Sequence, residues 1–195
     1  MTESTNQRNA VIVPGGGYGP QAPLLMYAAD AAEARGARPH PISWTGNPRE
    51  VPPEELFDWV AAHVTPVLDE LTAGTPGDPP LLIGKSLGTH AAPLAADRGL
   101  PAVWLTPLLT VEPVAAQLRR ATAPTLLIGG TADPAWDGAL ARQLSPYVLE
   151  VPDADHGMYV PGPLAGSAEV LGRVVTAIEE WLDNVVWRTP VVAGN

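Results

Sequence analysis

The sequence predicts an α/β fold: a doubly wound, mostly parallel sheet of about six strands. Three observations carry that expectation. Strand-like and helix-like stretches alternate from Ala10 to Asp183. The strand-like ones are short and almost continuously apolar, such as Ala10-Val11-Ile12-Val13 and Leu81-Leu82-Ile83, which is how strands buried on both faces read. The stretches between them carry apolar residues at helical spacing, as crossover helices do. At 195 residues the chain has the length for one well-buried domain and not for two, with residues 1–9 and 185–195 read as tails.

Taken in order, residues 10–13 form a strand that ends at Pro14 and a glycine run. Residues 22–35 read as a helix closed by Gly36, since glycine accepts the left-handed conformation that ends a helix. Residues 39–43 are a second, weaker strand. Residues 54–72 place Leu56, Val60, Val64, Val67, Leu68 and Leu71 on one helical face. After a Pro- and Gly-rich loop over 74–79 come the strand 81–83 and a helix starting near Leu87. Residues 102–105 and 125–128 are further strands, each followed by a helix, over 111–121 and 136–144. Residues 147–151 form the last strand and 164–183 a long closing helix.

Composition removes whole classes of function. There are no cysteines, so disulfides, thiolate metal sites and cysteine nucleophiles are out. A formal charge of -10 with only 11 basic residues offers no patch to neutralise phosphates, so no nucleic-acid partner is expected. No apolar run reaches the roughly 18 residues that span a bilayer. The polar start of the chain lacks a signal core, and a cytoplasmic protein with no membrane partner is expected.

The chemistry-bearing pattern is Gly84-Lys85-Ser86-Leu87-Gly88, a G-x-S-x-G pentapeptide between an apolar strand and a helix. A sharp strand-to-helix turn around a serine pushes its hydroxyl out at the carboxyl end of the sheet, and the flanking glycines let strand and helix pass closely. Two other strand ends carry matching groups: Asp133 in Gly129-Gly130-Thr131-Ala132-Asp133-Pro134, and His156 in Pro152-Asp153-Ala154-Asp155-His156-Gly157. A serine hydroxyl is a poor nucleophile until a base takes its proton, and an imidazole is an effective base when an acid orients it. Ser86, His156 and Asp133 therefore read as nucleophile, base and orienting acid. Asp137 is the rival acid. Asp155 adjoins His156 too closely to orient its ring. His90 lies one helical turn past Ser86 and is expected to pack along the elbow helix.

A tetrahedral oxyanion needs fixed N–H donors. The Leu87 amide is one candidate. The others are Gly16 and then Gly17, in Pro14-Gly15-Gly16-Gly17-Tyr18-Gly19 after the first strand. Tyr18, Trp44, Lys85, Trp104 and Met158 are candidate substrate-pocket residues, and Tyr159 sits nearby. Trp59 and Trp181 read as core. Lys85 is the only lysine. It reads either as a solvent-facing elbow residue or as a cation that draws in an anionic substrate.

The order Ser86, Asp133, His156 on alternating strands and helices resembles an α/β-hydrolase. The glycine loop after the first strand, the G-T-x-D-P segment and the A-D-H-G segment resemble its small, lidless, dienelactone-hydrolase-like branch over residues 10–183. That resemblance implies a minimal α/β-hydrolase fold and hydrolysis of esters, thioesters or lactones through an acyl-serine intermediate, with no cofactor and no metal. A small-molecule acyl substrate would be the partner, and a homodimer is compatible with it. Transfer of the acyl group to another acceptor, or a non-catalytic binding or scaffold role, are the alternatives. Two features depart from the family. The oxyanion loop begins Pro14-Gly15 where His-Gly is common, and residues 107–111 leave no room for a lid.

Overall fold

The computed structural model describes residues 7–73 and 78–188. Six strands, β1 (Arg8–Val13), β2 (Ala37–Pro41), β3 (Leu81–Lys85), β4 (Ala102–Leu105), β5 (Thr125–Gly130) and β6 (Tyr147–Val151), form one sheet in the order β2-β1-β3-β4-β5-β6. Every neighbouring pair is parallel. Five α-helices connect them, α1 (Pro23–Glu33), α2 (Leu56–Thr72), α3 (Ala92–Arg98), α4 (Glu112–Leu118) and α5 (Gly138–Leu144), and α6 (Leu164–Trp181) follows β6. The expected α/β architecture is the observed one.

Because side chains alternate along a strand, each apolar run feeds two cores. Ala10, Ile12, Leu81, Ile83, Val103, Leu105, Leu126 and Ile128 point to one face and pack against α1 and α6. Val11, Val13, Leu82, Trp104 and Leu127 point to the other and pack against α2, α3, α4 and α5. Lys85 follows Leu81 and Ile83 in this alternation, so its side chain leaves the sheet on the α1/α6 face.

The chain runs outward from β1 to β2, then returns past β1 to β3 and proceeds to β6. The order therefore reverses between β1 and β3. Loops leaving their carboxyl ends diverge to opposite faces and open a crevice. The glycine loop follows β1 and Ser86 follows β3, so both stand at that crevice.

Several boundaries differ from expectation. β1 begins at Arg8, and its partners in β2 run from Ala37 to Pro41. Parallel pairing, rather than local propensity, decides where β2 starts and stops, so 8–9 belong to the strand and not to a tail. The elbow continues as a tight 3-10 run, Ser86–Ala91, before α3 begins. At the other end, Leu182–Val186 forms a widened π turn, and Trp187 is buried with its ring beneath the Arg8 guanidinium, 5.2 Å away. The stretch 185–188 is thus packed, not a tail. The rest of both expected tails, 1–6 and 189–195, lies outside the described residues. Arg35 pins the end of α1 to the end of α6 through Asp183 at 2.6 Å and Glu179 at 3.1 Å.

Candidate active site

The elbow is built from close approach. A Cβ on Gly84 would stand 2.5 Å from the Trp104 ring, and one on Gly88 would stand 2.5 Å from the Val13 carbonyl oxygen. Both distances are shorter than any side chain tolerates, so glycine is required where β3 passes its neighbours. Between them Ser86 adopts φ 53°, a left-handed conformation that costs a non-glycine residue about 1–3 kcal/mol. The Thr89 hydroxyl donates to the Ser86 carbonyl at 2.6 Å and helps hold the turn. Strain and brace together fix the direction of the serine hydroxyl.

The acid and the histidine arrive on two loops laced to each other. Glycines 129 and 130 end β5; a Cβ at Gly129 would strike the Trp136 ring and one at Gly130 the Ala154 carbonyl, each 2.1 Å away. The Ala132 amide donates to the Ala154 carbonyl at 3.0 Å, the Thr131 amide to Val151 at 3.0 Å, and the Asp153 amide to the Thr131 hydroxyl at 2.8 Å. Asp133 is buried, and its Oδ1 accepts the Ala135 amide at 2.9 Å. Its Oδ2 lies 2.7 Å from His156 Nδ1, and His156 Nε2 lies 2.8 Å from Ser86 Oγ. A carboxylate only accepts, so the proton sits on Nδ1 and Nε2 is free to accept from the serine hydroxyl. The three side chains form one continuous relay that can draw a proton from Ser86.

The loop after β1 faces this relay. The Gly15 amide closes it on the Tyr18 carbonyl at 2.9 Å, which leaves the Gly16 and Gly17 amides without a protein acceptor among the described residues. Gly16 faces the elbow, for a Cβ there would meet the Leu87 side chain at 3.7 Å. A Cβ on Gly17 would meet the Arg49 guanidinium at 3.1 Å. Of the expected oxyanion donors, Gly16 thus lies against Leu87, the residue after Ser86, whereas Gly17 faces Arg49.

Beside the histidine loop is an open cleft of about 140 Å³, lined by Tyr18, Leu24, Met158, Tyr159, Leu164 and Leu171, among others. Of the expected pocket residues, Tyr18 and Met158 line it. Trp104 does not: it is 1% exposed and packs beneath Gly84 on the opposite face of the sheet. Trp44 is placed behind the glycine loop, its indole donating to the Gly15 carbonyl at 3.0 Å and its ring against Trp59 and His63. Lys85 is neither solvent-facing nor in the cleft; it is 3% exposed.

His90 stays out of the relay, buried, with Nδ1 on the Leu87 carbonyl at 2.9 Å and its ring against Phe57; burial lowers its pKa below the ordinary histidine value. Asp137 caps α5 by accepting the Leu140 amide at 2.9 Å. Asp155 shapes the histidine turn, accepting the Gly157 and Tyr159 amides at 2.7 and 3.0 Å. Thr89, Thr131 and Trp136 went unread in the sequence as supports of the site. A threonine three residues past an elbow serine is the one local signal among them, because its hydroxyl reaches back one turn.

No protein-family model matches the chain, and no curated protein matches it in sequence. Solved structures do match in shape. Est1E from Butyrivibrio proteoclasticus is 14% identical with a TM-score of 0.71 over 93% of this chain and 89% of that one. Dienelactone hydrolase from Anabaena variabilis is 20% identical with a TM-score of 0.69 over 94% and 88%. An α/β serine hydrolase without a lid from Xanthomonas campestris is 17% identical with a TM-score of 0.66 over 97% and 88%. The chain has the fold of the lidless α/β-hydrolases.

Proposed function

We propose that this protein is a serine hydrolase that cleaves ester-type bonds of small or medium acyl substrates. The observation that carries the reading is the unbroken hydrogen-bond relay from Ser86 Oγ through His156 to the buried Asp133. In the reaction so read, Ser86 Oγ attacks the substrate carbonyl carbon while its proton passes to His156 Nε2. Asp133 keeps the imidazole in the required tautomer and stabilises the imidazolium. The tetrahedral oxyanion sits against the Leu87 amide and the Gly16 or Gly17 amide. His156 then gives its proton to the leaving group, an acyl-serine forms, and water activated by the same histidine releases the acid.

The shared fold with dienelactone hydrolase and with a lidless serine hydrolase supports this reading. Est1E has been solved with ferulic acid bound. In this chain the cleft lined by Tyr18, Leu24 and Met158 suits a compact apolar acyl or leaving group. A panel of p-nitrophenyl esters of graded chain length, with one thioester and one lactone, tests the proposal. Turnover that peaks at short acyl chains is expected, with an acyl adduct on Ser86 trapped by acid quench. Folded protein that turns over none of the panel and traps no adduct would overturn it.

A further inference from the structure

Lys85 is the one buried lysine or arginine among the described residues, and two loops from distant parts of the chain converge on it. Its stem runs beneath the glycine loop: a Cβ on Gly15 would meet Lys85 Cδ at 3.5 Å. Its ammonium lies over the Tyr18 ring, 4.9 Å from the centroid, and donates to the His156 carbonyl at 3.1 Å. Tyr18 in turn is anchored to the start of α1, where its hydroxyl accepts the Leu24 amide at 2.8 Å. One side chain therefore touches the strand carrying Ser86, the loop carrying Gly16 and Gly17, and the main chain of His156.

We propose that Lys85 is a positioning residue whose ammonium clamps the histidine loop and the glycine loop to the elbow, so that base and oxyanion donors keep their places around Ser86. The proposal rests on the hydrolase reading above. A neutral apolar residue of similar length would fill the same space more cheaply, because a buried ammonium without a carboxylate partner carries a desolvation penalty. What a methionine or leucine cannot supply is the donor to the His156 carbonyl and the charge over the Tyr18 face.

The clamp has a built-in pH limit. Burial lowers the Lys85 pKa from 10.5 to about 8, against the opposing pull of Asp133 and Asp155. The titratable groups around it are Asp133 from the loop after β5, Asp155 and His156 from the loop after β6, and Tyr18 from the loop after β1, with Tyr159 facing Tyr18. Burial raises the Tyr18 phenol above 10.0, the Leu24 amide opposes that, and Tyr159 adds to it. Tyr18 thus stays neutral across the range where Lys85 loses its proton. Above about pH 8 the charge over the Tyr18 ring disappears, and the site should loosen. Stability moves the other way. The folded-state pKa lies below the unfolded one, so the charge-burial penalty is fully present below pH 8 and is relieved as pH climbs toward 10.5.

The experiment is the rate of Ser86 labelling by a fluorophosphonate from pH 6 to 10, followed by intact mass, for the native chain, Lys85→Met and Lys85→Arg, each with its Tm at pH 7. The native rate is expected to fall above about pH 8. Lys85→Met is expected to label roughly 5- to 20-fold more slowly at pH 7, with no alkaline fall in that region and a Tm equal to or above the native one. Lys85→Arg, always charged, is expected to move the alkaline fall to higher pH. Should Lys85→Met label at the native rate with the native pH profile, the clamp is refuted. A folded native chain that does not label at any pH overturns the hydrolase reading instead. If Lys85→Met fails to fold, the comparison of native and Lys85→Arg profiles decides, and identical profiles refute the proposal.

Discussion

The two ends of the sheet handle backbone strain differently. At the amino end, where α1 returns to β2 and α3 returns to β4, the left-handed positions are Gly36 (φ 78°) and Gly99 (φ 61°). Glycine adopts these conformations without a side-chain penalty. At the carboxyl end Gly46 (φ 95°) and Gly162 (φ 103°) also turn this way, but there the left-handed region additionally holds residues with side chains: Ser86, Thr106, Asp153 and Met158. Ser86 follows β3, Thr106 follows β4, and the other two flank His156. The amino end is shaped for easy turning. The carboxyl end accepts strain in order to aim particular atoms, and that strain falls where the relay is assembled.

The contrast can be broken by substitution. Ser86→Gly has the largest expected consequence: it removes the hydroxyl and the strain together. All labelling by acyl or phosphonyl probes should vanish while the protein gains about 1 kcal/mol of stability, read as a rise in chemical-denaturation midpoint. A loss of stability would mean the elbow is not strained. Asp133→Asn comes next. It keeps an acceptor for the Ala135 amide but offers His156 Nδ1 a donor in place of an acceptor. Labelling of Ser86 is expected to slow by about 10³-fold or more with the Tm nearly unchanged; a decrease of less than tenfold would remove Asp133 from the relay.

Smaller effects follow. Gly88→Ala would drive a Cβ into the Val13 carbonyl oxygen, a backbone atom that cannot swing aside. A loss of about 2–3 kcal/mol is expected from urea unfolding, accompanied by slower labelling because β1 and the elbow are pushed apart. Gly99→Ala is the mildest. Its Cβ would have free space, with Thr122 Oγ1 no nearer than 4.0 Å, so only the left-handed backbone resists it. About 1 kcal/mol of stability should be lost, with the labelling rate of Ser86 unaltered. A labelling defect there would show that the two ends of the sheet are not independent.

Much of this molecule was legible in its sequence, for local reasons. Apolar runs such as Leu81-Leu82-Ile83 announce strands because both of their faces must be covered. The positions of Ser86, Asp133 and His156 beyond strand ends follow once those strands are recognised. Residues whose placement depends on distant packing were harder. Trp104 sits near a strand end, yet both faces of β4 are apolar, so nothing local says that its ring turns down under Gly84. β2 could not be bounded from its own residues, since its partners in β1 decide where it ends.

Lys85 was readable by half. Alternation with Leu81 and Ile83 assigns its face, but its cover comes from Tyr18 and His156, 67 and 71 positions away in the chain. No local pattern foretells that burial. The same holds for Trp187, which closes on Arg8 at the opposite end of the sequence.

The central claim is that Ser86 is a nucleophile activated by His156, and covalent trapping tests it most directly. Folded native protein incubated with a fluorophosphonate at pH 7.5 should gain the mass of one phosphonyl group per chain, mapped by peptide sequencing to Ser86 and absent from Ser86→Ala. A folded native chain that gains no mass, or gains it elsewhere than Ser86, would contradict the account.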